Sequence, residues 1–284
     1  MGIGMGCDRI HETHIVLIGS CEMTQVVSVH SFRGGTGKSN ITSNLAATLA
    51  RQGFRVGMVD TDIQSPGIHV LFGLDDDDIS YTLNDYLWGR CVMPDAAYDV
   101  TGAFKADRDA IVAEGGGLFL VPSSIRANAI TQILREGYDP TLLNGGFSQF
   151  IRQFSLDYLL IDTHPGINEE TLLSVAISDS LIVILRPDRQ DYQGTAVTVD
   201  VARELEVPNM MLVVNKALSS FDFDALETQV SQTYSLPVAA ILPMSEDVMQ
   251  LASSDIFCLR NPYHAWAKKI ADIADRLMQT PDLN

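Results

Sequence analysis

From Gln25 onward, short runs of β-branched and aliphatic residues alternate with longer stretches whose apolar positions recur every three or four residues. The first pattern suits strands and the second helices, and their alternation predicts βαβ units in a parallel sheet. Strands are expected at 26–31, 55–60, 118–121, 158–162, 181–185, 210–214 and 238–242. After the first strand, a helix from Lys38 to about Gln52 places Ile41, Leu45, Thr48 and Leu49 on one face, and Gly53 ends it. A helix-rich region from about Tyr81 to Arg108 interrupts the strand rhythm. The chain closes with an amphipathic helix from about Pro262 to Met278, with Trp266, Ile270, Ile273, Ala274 and Leu277 on its apolar face. The expected fold class is α/β: a twisted, mainly parallel sheet of about seven to eight strands with helices on both faces. Residues 23–284 form its single domain. Residues 1–22 carry no clear period and are set apart as an extension, with Met23 as an alternative start.

Composition narrows this picture. A chain of 284 residues with 46% hydrophobic content can bury one sizeable core. Apolar runs such as Ser180–Leu185 are strand-length, too short to span a bilayer, and no secretory signal pattern opens the chain. A cytoplasmic, soluble protein is expected. Gly2 is not followed by the Ser or Thr at position 6 that N-myristoylation requires. Cys7, Cys21, Cys91 and Cys258 have no C-x-x-C spacing, so neither a zinc site nor a disulfide framework is indicated. The formal net charge of −17 repels polyanions and disfavours non-specific DNA binding. Lysines occur only at 38, 105, 216, 268 and 269, and the first of these lies in a glycine-rich segment.

That segment, Arg33-Gly34-Gly35-Thr36-Gly37-Lys38-Ser39, follows a strand and opens a helix. In such a context glycines let backbone N–H groups point at phosphates, the helix N-terminus adds positive potential, and Lys38 can reach the outer phosphates. Ser39 is placed to bind Mg2+. The string resembles the deviant phosphate loop K-G-G-x-G-K-[ST] of the ParA/MinD superfamily, with Arg33 at the signature-lysine position, and the resemblance runs from Val26 to the final helix. In that family the signature lysine reaches across an ATP-sandwiched dimer to its partner's nucleotide. An arginine keeps the charge and adds a planar fork, but is not a simple replacement. Arg33 therefore acts in trans like an arginine finger, or pairs locally and leaves hydrolysis weak.

Two acidic strand ends complete the set. Val59-Asp60-Thr61-Asp62-Ile63-Gln64 ends the second strand, at the edge where parallel sheets place their ligands. It resembles the family's first switch, which implies that Asp62 positions the attacking water and Asp60 makes outer-shell contact with Mg2+. Asp157-Tyr158-Leu159-Leu160-Ile161-Asp162-Thr163-His164-Pro165-Gly166 reads as a Walker B strand, with Asp162 helping to hold Mg2+ through water. Family members carry D-[ST]-P-x-G here, so His164 is a departure bearing on the second switch. Asn215 resembles the strand-end asparagine that contacts adenine, and Pro243 the segment covering the base. The resemblance thus gives a nucleotide-binding set of Gly34, Gly35, Thr36, Gly37, Lys38, Ser39, Asn40, Asn215 and Pro243. It gives Ser39, Asp60 and Asp162 toward the metal, and Arg33, Lys38 and Asp62 for catalysis.

The superfamily's iron–sulfur branches need bridging cysteines, its tyrosine kinases a C-terminal tyrosine cluster, and its arsenite and tail-anchor ATPases dedicated insertions; none of these stands here. In the final helix Lys268, Lys269 and Arg276 are offset by Asp272, Asp275 and Asp282, unlike a membrane-targeting tail. The resemblance implies an ATP- and Mg2+-dependent homodimer that hydrolyses ATP slowly. It would position, partition or regulate a cargo through a protein activator or adaptor; the alternative is an ATP-binding dimeric scaffold with little or no hydrolysis.

Overall fold

The computed structural model describes residues 24–75, 77–251 and 253–279, so the expectations for residues 1–22 and for Met23 lie outside the described residues. Eight strands form one sheet: β1 (Gln25–His30), β2 (Arg55–Asp60), β3 (Tyr98–Asp99), β4 (Gly117–Val121), β5 (Tyr158–Asp162), β6 (Ser180–Leu185), β7 (Asn209–Ala217) and β8 (Val238–Pro243). Their order is β3-β4-β2-β5-β1-β6-β7-β8. Every pairing is parallel except the two-residue β3, which runs antiparallel to β4 at the edge. Seven described helices have eight residues or more: α1 (Lys38–Arg51), α2 (Ala127–Glu136), α3 (Leu142–Phe154), α4 (Glu169–Ala176), α5 (Arg189–Glu204), α6 (Phe223–Tyr234) and α7 (Ala265–Met278).

Alternation along the strands sorts the core onto two faces. On one, Val27 and Val29 of β1, Met58, Leu160 and Ile182 pack with Ile41, Leu45 and Leu49 of α1 and with Trp266, Ile270 and Ile273 of α7. Thr48, expected on the same face of α1, is only half-buried, while Gly53 turns the chain with φ 94°. On the other face the core falls into two parts. Val59, Leu159 and Ile161 meet Phe147 and Phe150 of α3. Leu181, Val183 and Val214 meet Val199 of α5 and Val230 of α6. Between them lies β1, whose Val26 packs against the first part while Ser28 and His30 follow on the same face. Ser28 Oγ donates to the Ser174 carbonyl at 3.0 Å and accepts from Ser178 Oγ at 2.8 Å. The central strand thus carries a buried polar track that runs up to the sheet's C-terminal edge.

The region expected to be helix-rich between Tyr81 and Arg108 is a succession of short pieces: helical turns at Leu83–Leu87, Met93–Ala96 and Thr101–Asp107, with β3 between the last two. Gly89, at φ 69°, and Pro94 keep the turns short, and Tyr98 and Asp99 instead pair with Leu120 and Phe119.

The residue before Arg33 is wedged against α5. A Cβ on Gly194 would lie 2.2 Å from Phe32 Cδ1 and 2.7 Å from Phe32 Cβ, so only glycine admits the ring there. Gly194→Ala is expected to lower stability by about 1–3 kcal/mol through overpacking, read by denaturant titration. An unchanged midpoint would mean that the Phe32 ring moves aside freely.

Candidate functional site

At the C-terminal edge of the sheet, the turn from β1 into α1 wraps the helix N-terminus. Gly35 and Gly37 take φ 75° and 99°, conformations that disfavour a side chain, and α1 begins at Lys38. Lys38 is buried. The loop is held from β7: Asn215 Nδ2 donates to the Thr36 carbonyl at 2.7 Å, and Lys216 Nζ donates to the Gly35 carbonyl at 2.8 Å. The Asn215 amide oxygen accepts from Lys216 N at 2.8 Å, so this side chain, expected at the base, is also a strut for the loop. A Cβ on Gly37 would meet Asn215 Nδ2 at 2.5 Å, so the close fit requires glycine on its own account.

Beside the loop lies a cavity of about 340 Å³, lined among others by Gly37, Asn40, Asn215, Pro243, Met244 and Trp266. Its size and its apolar wall with a few convergent polar groups suit a planar, heterocyclic ligand fragment. Asn40, Asn215 and Pro243 are therefore brought together as the sequence suggested. Lys216 and Trp266 also line it. Lys216 is marked in the sequence only by following Asn215, and Trp266 lies on α7, where its period reads as core.

Parallel pairing sets Asp60 of β2 in register with Asp162 of β5. Both are almost wholly buried. Burial pushes Asp60 well above the usual carboxylate range, and the neighbouring Asp162 adds to this. Burial likewise raises Asp162 to about 6, against the pull of Lys38 and of the Ser39 hydroxyl. Asp62 is raised by burial too, opposed by His164 and Lys38. The oxygens of Asp60 are already engaged: Oδ1 accepts from Asp62 N at 3.1 Å, and Oδ2 from Gly67 N at 3.2 Å. Asp60 therefore shapes the loop that carries Asp62.

Asp162 differs. Its Oδ1 has the Thr42 hydroxyl at 3.4 Å, while Oδ2 is buried with no hydrogen-bond partner. An orphaned carboxylate oxygen next to Ser39 fits the water shell of Mg2+, an ion that keeps several waters and takes few protein ligands. Among the described residues, no group of three or more His, Cys, Asp or Glu is arranged to grip a metal directly.

Arg33 is turned toward its own chain. Its Nη1 donates to Gln190 Oε1 and lies 3.6 Å from Asp191 Oδ1 and 4.0 Å from Asp188 Oδ1, all at the start of α5. Asp191 is buried, which by itself would raise its pKa, but Arg186 and Arg33 hold it below the usual range. The partners of Arg33 lie some 150 residues downstream in a helix start that reads as ordinary capping, so no sequence signal joins them.

His164 stands on the turn after β5, with Nε2 3.8 Å from Asp62 Oδ1. His30, singled out by no motif, sits below it. Its Nδ1 donates to Thr163 Oγ1 at 2.7 Å, because that hydroxyl already donates to the Val29 carbonyl at 3.0 Å. Burial, with Lys38 and His164 nearby, lowers His30 to about 3 and keeps it neutral. Its only signal in the sequence is a polar residue in the central strand.

Residues 27–256 match the family of the CobQ/CobB/MinD/ParA nucleotide binding domain. The septum site-determining protein MinD of Thermotoga maritima is 26% identical over 260 residues, covering 90% of this chain and 88% of that protein. An iron–sulfur cluster carrier protein of Methanococcus maripaludis is 30% identical over 202 residues; the match takes in 66% of this chain and 59% of the carrier's length. Among solved structures, MinD of Pyrococcus horikoshii OT3, complexed with Mg-ADP, superposes with a TM-score of 0.74 at 20% identity, covering 90% of this chain and 97% of that one. That likeness supports the eight-stranded, doubly covered sheet described above. Among the described residues no helix is long and apolar enough to cross a membrane.

The folded chain binds the protons of Asp60 and Asp162 more tightly than the unfolded chain does. For Asp162 stability is therefore highest at acid pH and falls as pH rises from about 4 toward 6, and Asp60 acts in the same sense. Without nucleotide and Mg2+, Asp162→Asn is expected to melt at a higher temperature than the parent protein at pH 7.5, with the gap closing below pH 5. A variant that melts lower at both pH values would show that charge burial is not the destabilising element.

Proposed function

The chain belongs to the CobQ/CobB/MinD/ParA nucleotide-binding family of P-loop ATPases, and from that premise we propose that it binds Mg-ATP and hydrolyses it slowly as a homodimeric switch. In this reading Lys38 and the amides of 34–39 hold the phosphates, and the cavity at Asn40, Asn215 and Pro243 takes the base. Ser39 and Asp162 face the metal, Asp60 fixes the loop beside it, and Asp62 orients the attacking water. The observation that carries it is the gathering of Lys38, Asp62 and the unpaired Asp162 Oδ2 at one helix N-terminus beside a base-sized cavity.

The trans role of Arg33 is part of the proposal, and its surroundings make release inexpensive. Its side chain is 40% exposed. Asp191 would not be stranded by its departure, because Arg186 supplies three donors, from N and Nε at 2.9 Å and Nη2 at 3.1 Å. The local pairing also favours a second reading, in which Arg33 stays tethered and the protein is an ATP-binding dimeric scaffold with little turnover. By analogy with MinD, the output would be positioning or regulation of a cargo through a protein partner in the cytoplasm, with residues 23–284 as the working domain. The carrier's cluster chemistry has less support. Burial pushes the Cys91 thiol to about 11 and the Cys258 thiol to about 12, opposite to the shift that favours a thiolate ligand, and Cys7 and Cys21 lie outside the described residues.

Steady-state phosphate release together with ATP-dependent size-exclusion chromatography tests the proposal. Lys38→Ala is expected to weaken ATP binding and Asp62→Ala to cut turnover, each by about a hundredfold. Arg33→Ala is expected to abolish the ATP-dependent dimer and Arg33→Lys to restore part of it. Dimers that form normally in Arg33→Ala would remove the trans role. A wild-type protein that dimerises without releasing phosphate would favour the scaffold.

A further inference from the structure

The turn after β5 holds a histidine in a defined orientation. His164 Nδ1 lies 2.7 Å from the Pro165 carbonyl oxygen. A carbonyl only accepts, so Nδ1 carries the proton, and in the neutral ring Nε2 is left as a bare acceptor. The Asn168 amide nitrogen lies 3.4 Å from the same Nδ1, but the Asn168 oxygen is committed to Thr171 N at 2.8 Å, and the shorter carbonyl contact decides the ring. Nε2 points at Asp62 Oδ1, 3.8 Å away. Asp62 is fixed in turn: the same Oδ1 accepts from Ser65 N at 3.1 Å.

With the ring neutral, two acceptors face each other at 3.8 Å, too far apart for a direct bond. One water at about 2.8 Å from each, donating one hydrogen to Oδ1 and the other to Nε2, would satisfy both. A water held by both its hydrogens turns its lone pairs outward, which is the orientation a nucleophile needs. Asp62 lies within electrostatic reach of Lys38, the residue that marks the outer phosphates in the proposed site.

We propose that His164 shares with Asp62 the task of holding the attacking water, so that water is oriented by two side chains on two different switch loops. The inference rests on the hydrolytic reading above and deepens it. It gives a task to the residue at which this chain leaves the D-[ST]-P-x-G pattern. It also joins the loop after β2 to the turn after β5 through one solvent molecule, so that either loop out of place would lose the water.

The experiment compares wild type, Asp62→Ala, His164→Asn and His164→Gln. It measures kcat and KM for phosphate release, and the retention of ADP with aluminium fluoride against ADP alone. Asparagine keeps a side-chain N–H for the Pro165 carbonyl but does not reach toward Asp62; glutamine can bring an amide oxygen close to the Nε2 position. His164→Asn is expected to lose about tenfold in kcat with KM within about twofold, and to retain ADP–aluminium fluoride about tenfold less well while binding ADP as before. His164→Gln is expected to recover much of both losses. Wild-type turnover that is lost in Asp62→Ala yet kept in His164→Asn would overturn this inference alone, as would a defect confined to KM or to ADP binding. A wild-type protein that neither releases phosphate nor retains ADP–aluminium fluoride would overturn the hydrolytic reading and this inference together.

Discussion

Charge imbalance at the edge of the sheet governs this molecule. Parallel register forces Asp60 and Asp162 side by side, Asp62 follows two residues later, and all three are buried. Lys38 is the buried cation facing them. Backbone amides relieve Asp60, but Asp162 keeps an oxygen with no donor. Burying ionised carboxylates is costly unless they are paired, so the polypeptide alone leaves the site under electrostatic stress. In the proposed Mg-ATP complex, a hydrated divalent cation and a phosphate chain would supply the missing positive charge and a ligand for Lys38 together.

The same constraint accounts for the architecture around it. Two faces of aliphatic packing fix the strands, and the register of β2, β5 and β1 fixes which side chains end at the edge. Polar groups then run down the central strand as far as Ser28, which is paired with Ser174 and Ser178, while His30 stays neutral beneath Thr163, bonded through Nδ1 and with Nε2 left without a partner. The start of α5 contributes from the other side, where Gly194 admits Phe32, and Asp188, Gln190 and Asp191 receive Arg33. The loop before α1, the turn after β5 and the start of α5 are therefore tied to one another through side chains.

Much of this was legible in the sequence because it rests on local chemistry. The strands at 55–60 and 158–162 begin and end where the structure puts them, since each is an apolar run ended by an aspartate that cannot continue into the core. The face of α7 was legible from its period, as every residue expected to be inside is buried. Legibility fails where long-range contact decides. The piece at Tyr98–Asp99 is a strand only because β4 offers an open edge. Asn215 reads as a ligand-contacting residue, yet its amide is set by the turn of Thr36, 179 residues away in sequence. Arg33 could be assigned a charge and a reach from sequence, whereas its resting position depends on α5.

The struts from β7 have a consequence for the thermodynamics of ligand capture. Glycine-rich loops ordinarily lose much backbone freedom when they close around phosphates. Here Asn215 and Lys216 already grip the carbonyls of Thr36 and Gly35, and the Gly37 backbone is pressed against the asparagine. Much of that ordering is therefore complete when the chain folds, and less conformational entropy remains to be lost at the moment of binding. The grip comes from β7, the strand that also walls the cavity beside the loop, so both are built on one element.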